Sequence, residues 1–252
     1  MDKRADKYGT GEIQSELLRM LKDFHAFCVS HDISYSLADG TLLGAVRERG
    51  FIPWDDDVDI MLSREDYEKF RSFTGELKGY TVTKRLWIER MQFADGHTEA
   101  TVDMLIMDDV PDSRFLRRLK LLALMTLQGM LKEDVSYEGL GVLYKLCAAV
   151  THGLGRLVPK KWKLALYTSA SCIGRRRPKG IASRCGSGMV SCTNDEFALL
   201  NHYYEGDLMR NPVLHPFEDT ECYIIRDSDA YLTGMFGDYM TPPPEEERRP
   251  SH

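Results

Sequence analysis

The sequence predicts an α+β fold, in which the strands gather in one part of the chain and most helices in another. Three observations carry that expectation. Residues 11–31 repeat apolar side chains with helical period, with Ile13, Leu17, Leu21, Phe24 and Cys28 on one stripe. Between residues 33 and 107 several short apolar runs, rich in β-branched and aromatic residues, read as strands. From Phe115 to about Ser171 the pattern turns helical and stays so, broken near Gly139-Gly141 and at Pro159. Segregated strands and helices, rather than strict alternation, mark the α+β class.

The elements follow in order. Ile33–Leu37 is a short strand; Gly40-Thr41 permits a tight turn, and Leu42–Arg49 forms a short helix ended by Gly50. Residues 57–62 are extended and apolar but for their aspartates. Ser63 with Asp66 three residues on resembles a capping box, so 64–73 is helical. Tyr80–Thr83 and Trp87–Phe93 read as strands of a meander, and Ala100–Met107 as a further strand, apolar except for Asp103 at its centre. Beyond Gly180 the pattern is mixed. The expected organisation is a catalytic core over 1–112, a helical basic insertion over 113–185, and a C-terminal part, 186–252, that completes the catalytic domain.

Composition narrows the function. The 252 residues carry a net charge of −6, but Arg114–Arg184 holds 15 basic and 3 acidic residues, leaving 18 basic and 36 acidic elsewhere. An acidic body argues against nucleic-acid binding. No apolar run approaches the roughly 20 residues of a membrane span, and no signal-peptide pattern is present. The six cysteines (28, 147, 172, 185, 192, 222) form no C-x-x-C pair, so reduced thiols of a cytoplasmic protein are expected rather than disulfides. A zinc site from Cys172, Cys185 and Cys192 matches no usual spacing. H-E-x-x-H, G-x-S-x-G and P-loop patterns are absent, which weakens metalloprotease, hydrolase and P-loop readings.

The chemistry concentrates in Phe51-Ile52-Pro53-Trp54 followed by Asp55, Asp56, Asp57 and Asp59. Carboxylates are depleted in strands, so an acidic cluster running into Val58, Ile60, Met61 and Leu62 calls for a ligand. In an extended segment Asp57 and Asp59 share one face, about 7 Å apart at Cα. Two such carboxylates can hold Mg²⁺ or Mn²⁺ against phosphate oxygens, and a third can complete the site and deprotonate an acceptor hydroxyl. Asp103 is the natural third, because a lone carboxylate in an apolar strand is costly to bury without a cation. Gly40 and Thr41 would offer backbone N–H groups and a hydroxyl to a transferred phosphate, with a helix N-terminus behind them. A solvated acidic turn is the bland alternative; the combination of features disfavours it, and a calcium loop lacks its spacing and closing Glu. Arg47 either faces an anionic substrate or is a surface arginine. Trp54 either stacks on a base or, as the preferred reading, plugs the core.

These residues resemble a known family. A-D-G-T-L-L-G-A-V-R, F-I-P-W-D-D-D-V-D-I and R-E-D-Y, between Tyr35 and Tyr67, closely resemble the LicD family of bacterial surface-polysaccharide enzymes. Tyr231-Leu232, Phe236-Gly237-Asp238-Tyr239-Met240 and Pro242-Pro243-Pro244, with Arg248 and His252, resemble its closing signature, while 113–215 matches only loosely. The resemblance implies a nucleotidyltransferase-like mixed sheet flanked by helices, related to the fukutin-related sugar-phosphate transferases. It implies transfer of phosphocholine from CDP-choline to a sugar hydroxyl, with release of CMP, in teichoic acid or lipopolysaccharide synthesis. By the same resemblance Asp57 and Asp59 match the metal-binding pair, Asp103 the third carboxylate, Gly40-Thr41 the phosphate turn, and Asp55 lies in the metal motif. Asp56 varies in that motif and receives no role.

The expected partners are thus a CDP-linked alcohol donor and a glycan acceptor, lipid-linked in this family, at the inner face of the cytoplasmic membrane. Rival readings are a D-x-D glycosyltransferase, for which about 50 residues before the motif are too few, and an inactive scaffold, which intact aspartates argue against. The basic segment 114–184 poses one more choice. Arg114, Arg117, Arg118 and Lys120 precede an apolar run, and Lys160, Lys161 and Lys163 flank Trp162. Either these helices contact an anionic membrane surface, or, slightly preferred, the apolar stripe packs inward beneath a solvated basic face.

Overall fold

The computed structural model describes residues 7–132, 142–175, 188–195 and 199–250. In chain order the elements are α1 (Gly11–Ser30), β1 (Ser36–Leu37), α2 (Asp39–Arg47), β2 (Val58–Ser63), α3 (Arg64–Phe73), β3 (Tyr80–Arg85), β4 (Ile88–Phe93) and β5 (Thr101–Asp109). There follow α4 (Arg114–Leu131), α5 (Val142–Leu157), α6 (Lys160–Ser171), β6 (Met189–Cys192), β7 (Tyr204–Glu205), β8 (Val213–Phe217), β9 (Thr220–Ile224) and α7 (Ser228–Phe236). The fold is α+β. Two compact units divide it: Met1–Thr83 with Glu89–Ile106 and Leu208–His252, and Lys84–Ile88 with Met107–Asp207.

In the first unit the strands run in the order β1-β2-β5-β4-β3. β1 and β2 are antiparallel with Leu37 opposite Ile60, and β4 and β5 are antiparallel with Arg90 opposite Asp103. β2 and β5 are buried along nearly their whole length, so both read as apolar runs rather than alternating ones. α1 buries the predicted stripe from Leu17 to Cys28. Phe24 forms an aromatic node there, edge-on to Tyr35 at 5.1 Å and tilted against Phe70 at 5.7 Å between ring centroids. Ser63 caps α3 by accepting from the Asp66 N–H at 3.0 Å, as the sequence predicts. Asp66 also accepts from the Ser34 N–H at 2.9 Å, which ties the cap to the lead-in of β1.

The Gly40-Thr41 turn is a correction. Both residues lie within the first turn of α2, which starts at Asp39 and not at Leu42. Ala38 is extended, Asp39 takes a positive φ of 42°, and the Leu42 N–H already reaches the Ala38 carbonyl at 2.8 Å. The chain therefore reverses direction at Asp39, one residue before the glycine.

The second unit is mostly helical. The end of β5 pairs antiparallel with β6, Asp108 opposite Ser191, and β6 with β7. Its core gathers Trp87, Leu124, Leu127, Leu131, Tyr167, Ala170 and Leu200, with Trp87 and Tyr167 stacked at 6.3 Å. Gln128, buried in that core, donates to the Asp195 carbonyl at 2.8 Å and to the Tyr167 hydroxyl at 2.9 Å. The buried Lys163 ammonium donates to the carbonyls of Met130 at 2.8 Å and Gly155 at 3.0 Å. A cation thus satisfies carbonyls in the last turns of α4 and α5. For α4 the inward-packing reading holds over Leu124–Leu131, and Lys120, expected at a surface, is buried with its ammonium on the Asp109 carbonyl at 2.8 Å. The predicted break at Gly139-Gly141 lies outside the described residues, as do Cys185 and His252. Among the described residues, Cys28, Cys172, Cys192 and Cys222 form no disulfide. No helix among the described residues is long and apolar enough to cross a membrane.

Candidate active site

The site is built where α2 meets the start of β2. Two backbone-level bonds fix the junction: the Ala38 N–H donates to the Asp59 carbonyl at 3.0 Å, and the Asp59 N–H donates to Thr41 Oγ1 at 2.9 Å. Thr41 is buried, so its hydroxyl positions Asp59 rather than standing open to a phosphate. Gly40 lies against Asp55. A Cβ at that position would stand 3.1 Å from Asp55 Oδ2, tighter than ordinary contact, so the absent side chain makes room for the carboxylate. The loop before β2 is held from below by α1, whose Gln14 amide donates to the carbonyls of Ile52 at 3.0 Å and Asp55 at 2.8 Å.

The carboxylates then crowd together. Oxygens of Asp55, Asp56 and Asp57 lie within 4.8 Å of one another. Asp56, left without a role by the sequence, belongs to this group and is buried. Asp59 shares its field with Asp57, Asp39, Asp103 and Asp55; burial first, and then these charges in that order, push its carboxyl well above the usual carboxylate range. Asp55 is pushed up to about 7, by burial and then by Asp57 and Asp56. Burial also raises Asp39, against the lowering effect of the Tyr231 hydroxyl. Burial first, and then mutual repulsion, hold these carboxylates above their ordinary range, and a bound cation would relieve both. All-oxygen donors at this spacing suit a hard divalent cation such as Mg²⁺ or Mn²⁺.

Asp103 is different. Arg90, directly across the β4–β5 ladder, grips it with two bonds, Nε to Oδ1 at 2.5 Å and Nη2 to Oδ2 at 2.6 Å. β4 alternates, burying Glu89, Met91 and Phe93 on one face and turning Ile88, Arg90 and Gln92 to the other. The guanidinium holds Asp103 in one orientation and brings a positive charge to the edge of the aspartate group.

The C-terminal part closes the site from the other side. The Tyr231 hydroxyl donates to Asp39 Oδ1 at 2.6 Å, and Arg47 Nη1 donates to the Tyr239 carbonyl at 3.0 Å. Arg47 is no surface arginine: its side chain is 7% exposed, and Nη2 is buried with no hydrogen-bond partner. A buried guanidinium N–H without an acceptor costs about 1–3 kcal/mol unless a ligand supplies one. Trp54 is half-buried, with Arg248 over its ring at 5.3 Å and Tyr8 edge-on at 5.7 Å. The hairpin tip between β8 and β9 adds a last clamp. Glu218 accepts from the Phe51 N–H at 3.0 Å, and Phe217 packs edge-on to Phe51 at 4.9 Å.

The chain is similar to several known proteins. Residues 32–129 match the family described as LicD/FKTN/FKRP, nucleotidyltransferase domain. The chain is also 27% identical to the lipopolysaccharide cholinephosphotransferase LicD of Haemophilus influenzae, over 96% of its own length and 95% of the relative's. Over residues 32–129 the chain is similar to the LicD family. An uncharacterized protein of Rickettsia prowazekii is 38% identical over 85 residues, 32% of each chain. Another from Rickettsia typhi is 37% identical over 84 residues, 32% of this chain and 27% of that one.

The span matched to the LicD family contains α2, β2 and β5, and with them Asp55, Asp57, Asp59, Asp103 and Arg90. Tyr231, Tyr239, Glu218 and Arg248 lie beyond it. Sequence reasoning passed over Asp39, Arg90 and Glu218. Asp39 stood inside the quoted A-D-G-T motif and was available. Arg90 is legible only once the β4–β5 register is known, and Glu218 only once the hairpin is placed.

Proposed function

We propose that this chain is a transferase that moves a phospho-alcohol group, most simply phosphocholine from CDP-choline, to a sugar hydroxyl of a cell-surface polysaccharide precursor, releasing CMP. The Haemophilus relative, a lipopolysaccharide cholinephosphotransferase by name, supports choline and a lipopolysaccharide-type acceptor. The observation that carries the reading is the crowded carboxylate group at the start of β2, raised by burial and then by its own repulsion. Asp55, Asp57 and Asp59 would hold a divalent cation, with Asp103 beside them. Such a cation supplies charge neutralisation on the diphosphate.

In the reaction the acceptor oxygen attacks the phosphorus that bears choline, and the bond from that phosphorus to the bridging oxygen breaks. CMP leaves with the bridging oxygen. Asp103, fixed by Arg90 and retaining lone pairs on both oxygens, takes the hydroxyl proton. The free N–H of Arg47 supplies a donor for an anionic substrate oxygen.

The experiment pairs a ligand screen with turnover. Among CDP-choline, CDP-ethanolamine, CDP-ribitol and CDP-glycerol with Mg²⁺, one should raise the melting temperature. A hundredfold excess over Kd is worth about 2.7 kcal/mol, or roughly 5–11 °C for a chain of this size. CMP should then appear only with a glycan acceptor, and Asp57→Asn should abolish it while leaving the melt intact. A nucleotide sugar acting as sole donor would instead establish a glycosyltransferase.

A further inference from the structure

The second unit carries a surface that the transfer chemistry does not use. α4, α5 and α6 contain no aspartate or glutamate, in a chain with 39 of them. Their exposed charges are therefore all basic. The same helices hold ten of the fourteen exposed large apolar side chains among the described residues. Neither fact follows from a solvated basic face covering an inward stripe.

α5 shows the arrangement most clearly. Thr151 and Gly155 pack on α4, against Gly129 and Met130. Leu146, Val150, Leu154 and Leu157 recur at i, i+4, i+8 and i+11, and are 61%, 51%, 51% and 80% exposed. At about 100° per residue these four fall on one stripe, on the side of the helix away from Thr151 and Gly155. Lys145 and Arg156 flank the stripe and are exposed. The pattern continues beyond Pro159, where Trp162 is 65% and Leu166 51% exposed at i and i+4, beside exposed Lys160 and Lys161.

We propose that this face of α5 and α6 is a docking surface for an anionic lipid bilayer. Each helix exposes long apolar side chains, with a tryptophan on α6, beside Lys or Arg, and neither helix carries a carboxylate, which meets the two requirements of interfacial binding. Apolar side chains enter the acyl boundary while lysine and arginine stems reach phosphate head groups. Neither term suffices alone, since stable anchoring needs two signals. The charge term also selects the partner. A second copy of this chain would bring equal positive charge to the same face, and four like-charged groups would repel across it. An anionic leaflet attracts each Lys or Arg near its surface.

The test is co-sedimentation of the full chain with vesicles of phosphatidylcholine alone or with about a third phosphatidylserine. Two variants accompany it: Leu146→Ser with Leu154→Ser and Leu157→Ser, and Lys160→Glu with Lys161→Glu. These positions are exposed, so unchanged far-UV circular dichroism and unchanged CMP release from soluble acceptor report an intact fold. Expected is at least tenfold tighter binding to the anionic vesicles, weakened by high salt, and a tenfold loss in each variant. Trp162 emission should shift to the blue on binding, a shift that Trp162→Phe removes while Trp54 and Trp87 remain. Failure to bind anionic vesicles, equal binding to both vesicle types, or a vesicle-independent dimer abolished by the leucine variant would each overturn the proposal. CMP release without vesicle binding would leave the transferase reading standing.

Discussion

The metal-free protein should lose stability as pH rises from about 4 to about 7, and Asp55 should account for a measurable part of the loss. The folded state keeps the Asp55 proton up to about pH 7, whereas the unfolded chain releases it near 3.9. In that window the native state binds more protons, so unfolding free energy falls with rising pH and the loss is complete above the folded value. Full expression of about three pH units would cost roughly 4 kcal/mol. Asp55 keeps part of its surface open to solvent, so screening brings the expected cost to about 2 kcal/mol, or roughly 4–8 °C of melting temperature. The assay is a series of thermal melts between pH 4 and 8 for wild type and Asp55→Asn, with and without saturating Mg²⁺. Other groups titrate in both proteins, so the difference between the two curves is the readout. Without metal, Asp55→Asn should gain on wild type as pH rises. With Mg²⁺ the order should reverse, because the ionised carboxylate is the form that binds metal. Parallel curves in both conditions would refute the reasoning, since neither repulsion nor metal would then act on Asp55.

Three further outcomes are expected. Arg90→Met should destabilise the metal-free protein by about 3 kcal/mol, because Asp103, its side chain 10% exposed, loses its counter-charge; urea titration should show part of this recovered when Asp103→Asn is added. Gly50→Ala should cost about 1–3 kcal/mol by driving a Cβ into the Glu218 carboxylate and breaking its bond to the Phe51 N–H. Adding Glu218→Ala should remove the clash, and thermal melts giving simple additivity would argue against the contact. Ser63→Ala should cost about 1 kcal/mol by urea titration, and Ser63→Asp should stay near wild type, as expected of an N-cap.

Local chemistry was legible in the sequence wherever it acts within a few residues. The Ser63 cap, the α1 stripe and the strand that carries Asp59 follow from spacing, because side-chain direction in helices and strands is periodic, whereas Asp57 lies one residue before β2. Thr41, expected at a transferred phosphate, has its hydroxyl oxygen on the Asp59 N–H. The cause is the positive φ of Asp39, which starts the helix early and which a glycine next door made easy to misplace. Arg90 and Tyr231 act across 13 and 192 residues of separation. Arg90 looks like an ordinary strand arginine until register is known, and Tyr231 stands in the closing motif but its partner Asp39 is legible only from topology. The basic helices divide likewise: the periodicity of α4 foretold an inward stripe, but exposure of the α5 leucines depends on which face Gly155 brings against α4.

The long-range clamp on α2 has a consequence for how the protein is made. Asp39 and Arg47 emerge early in synthesis, and their partners Tyr231 and Tyr239 emerge 192 residues later in each case. At about 5–20 residues per second, the growing chain carries an unclamped aspartate cluster for roughly 10–40 s. During that interval the positive φ of Asp39 has no Tyr231 hydroxyl to hold the side chain, and the acidic loop repels itself. A divalent cation captured by the nascent chain would screen that repulsion before the last helix arrives. Ambient Mg²⁺ would then act on the yield of folded protein as well as on its turnover, and metal depletion during expression would lower the soluble fraction before any catalytic defect could be measured.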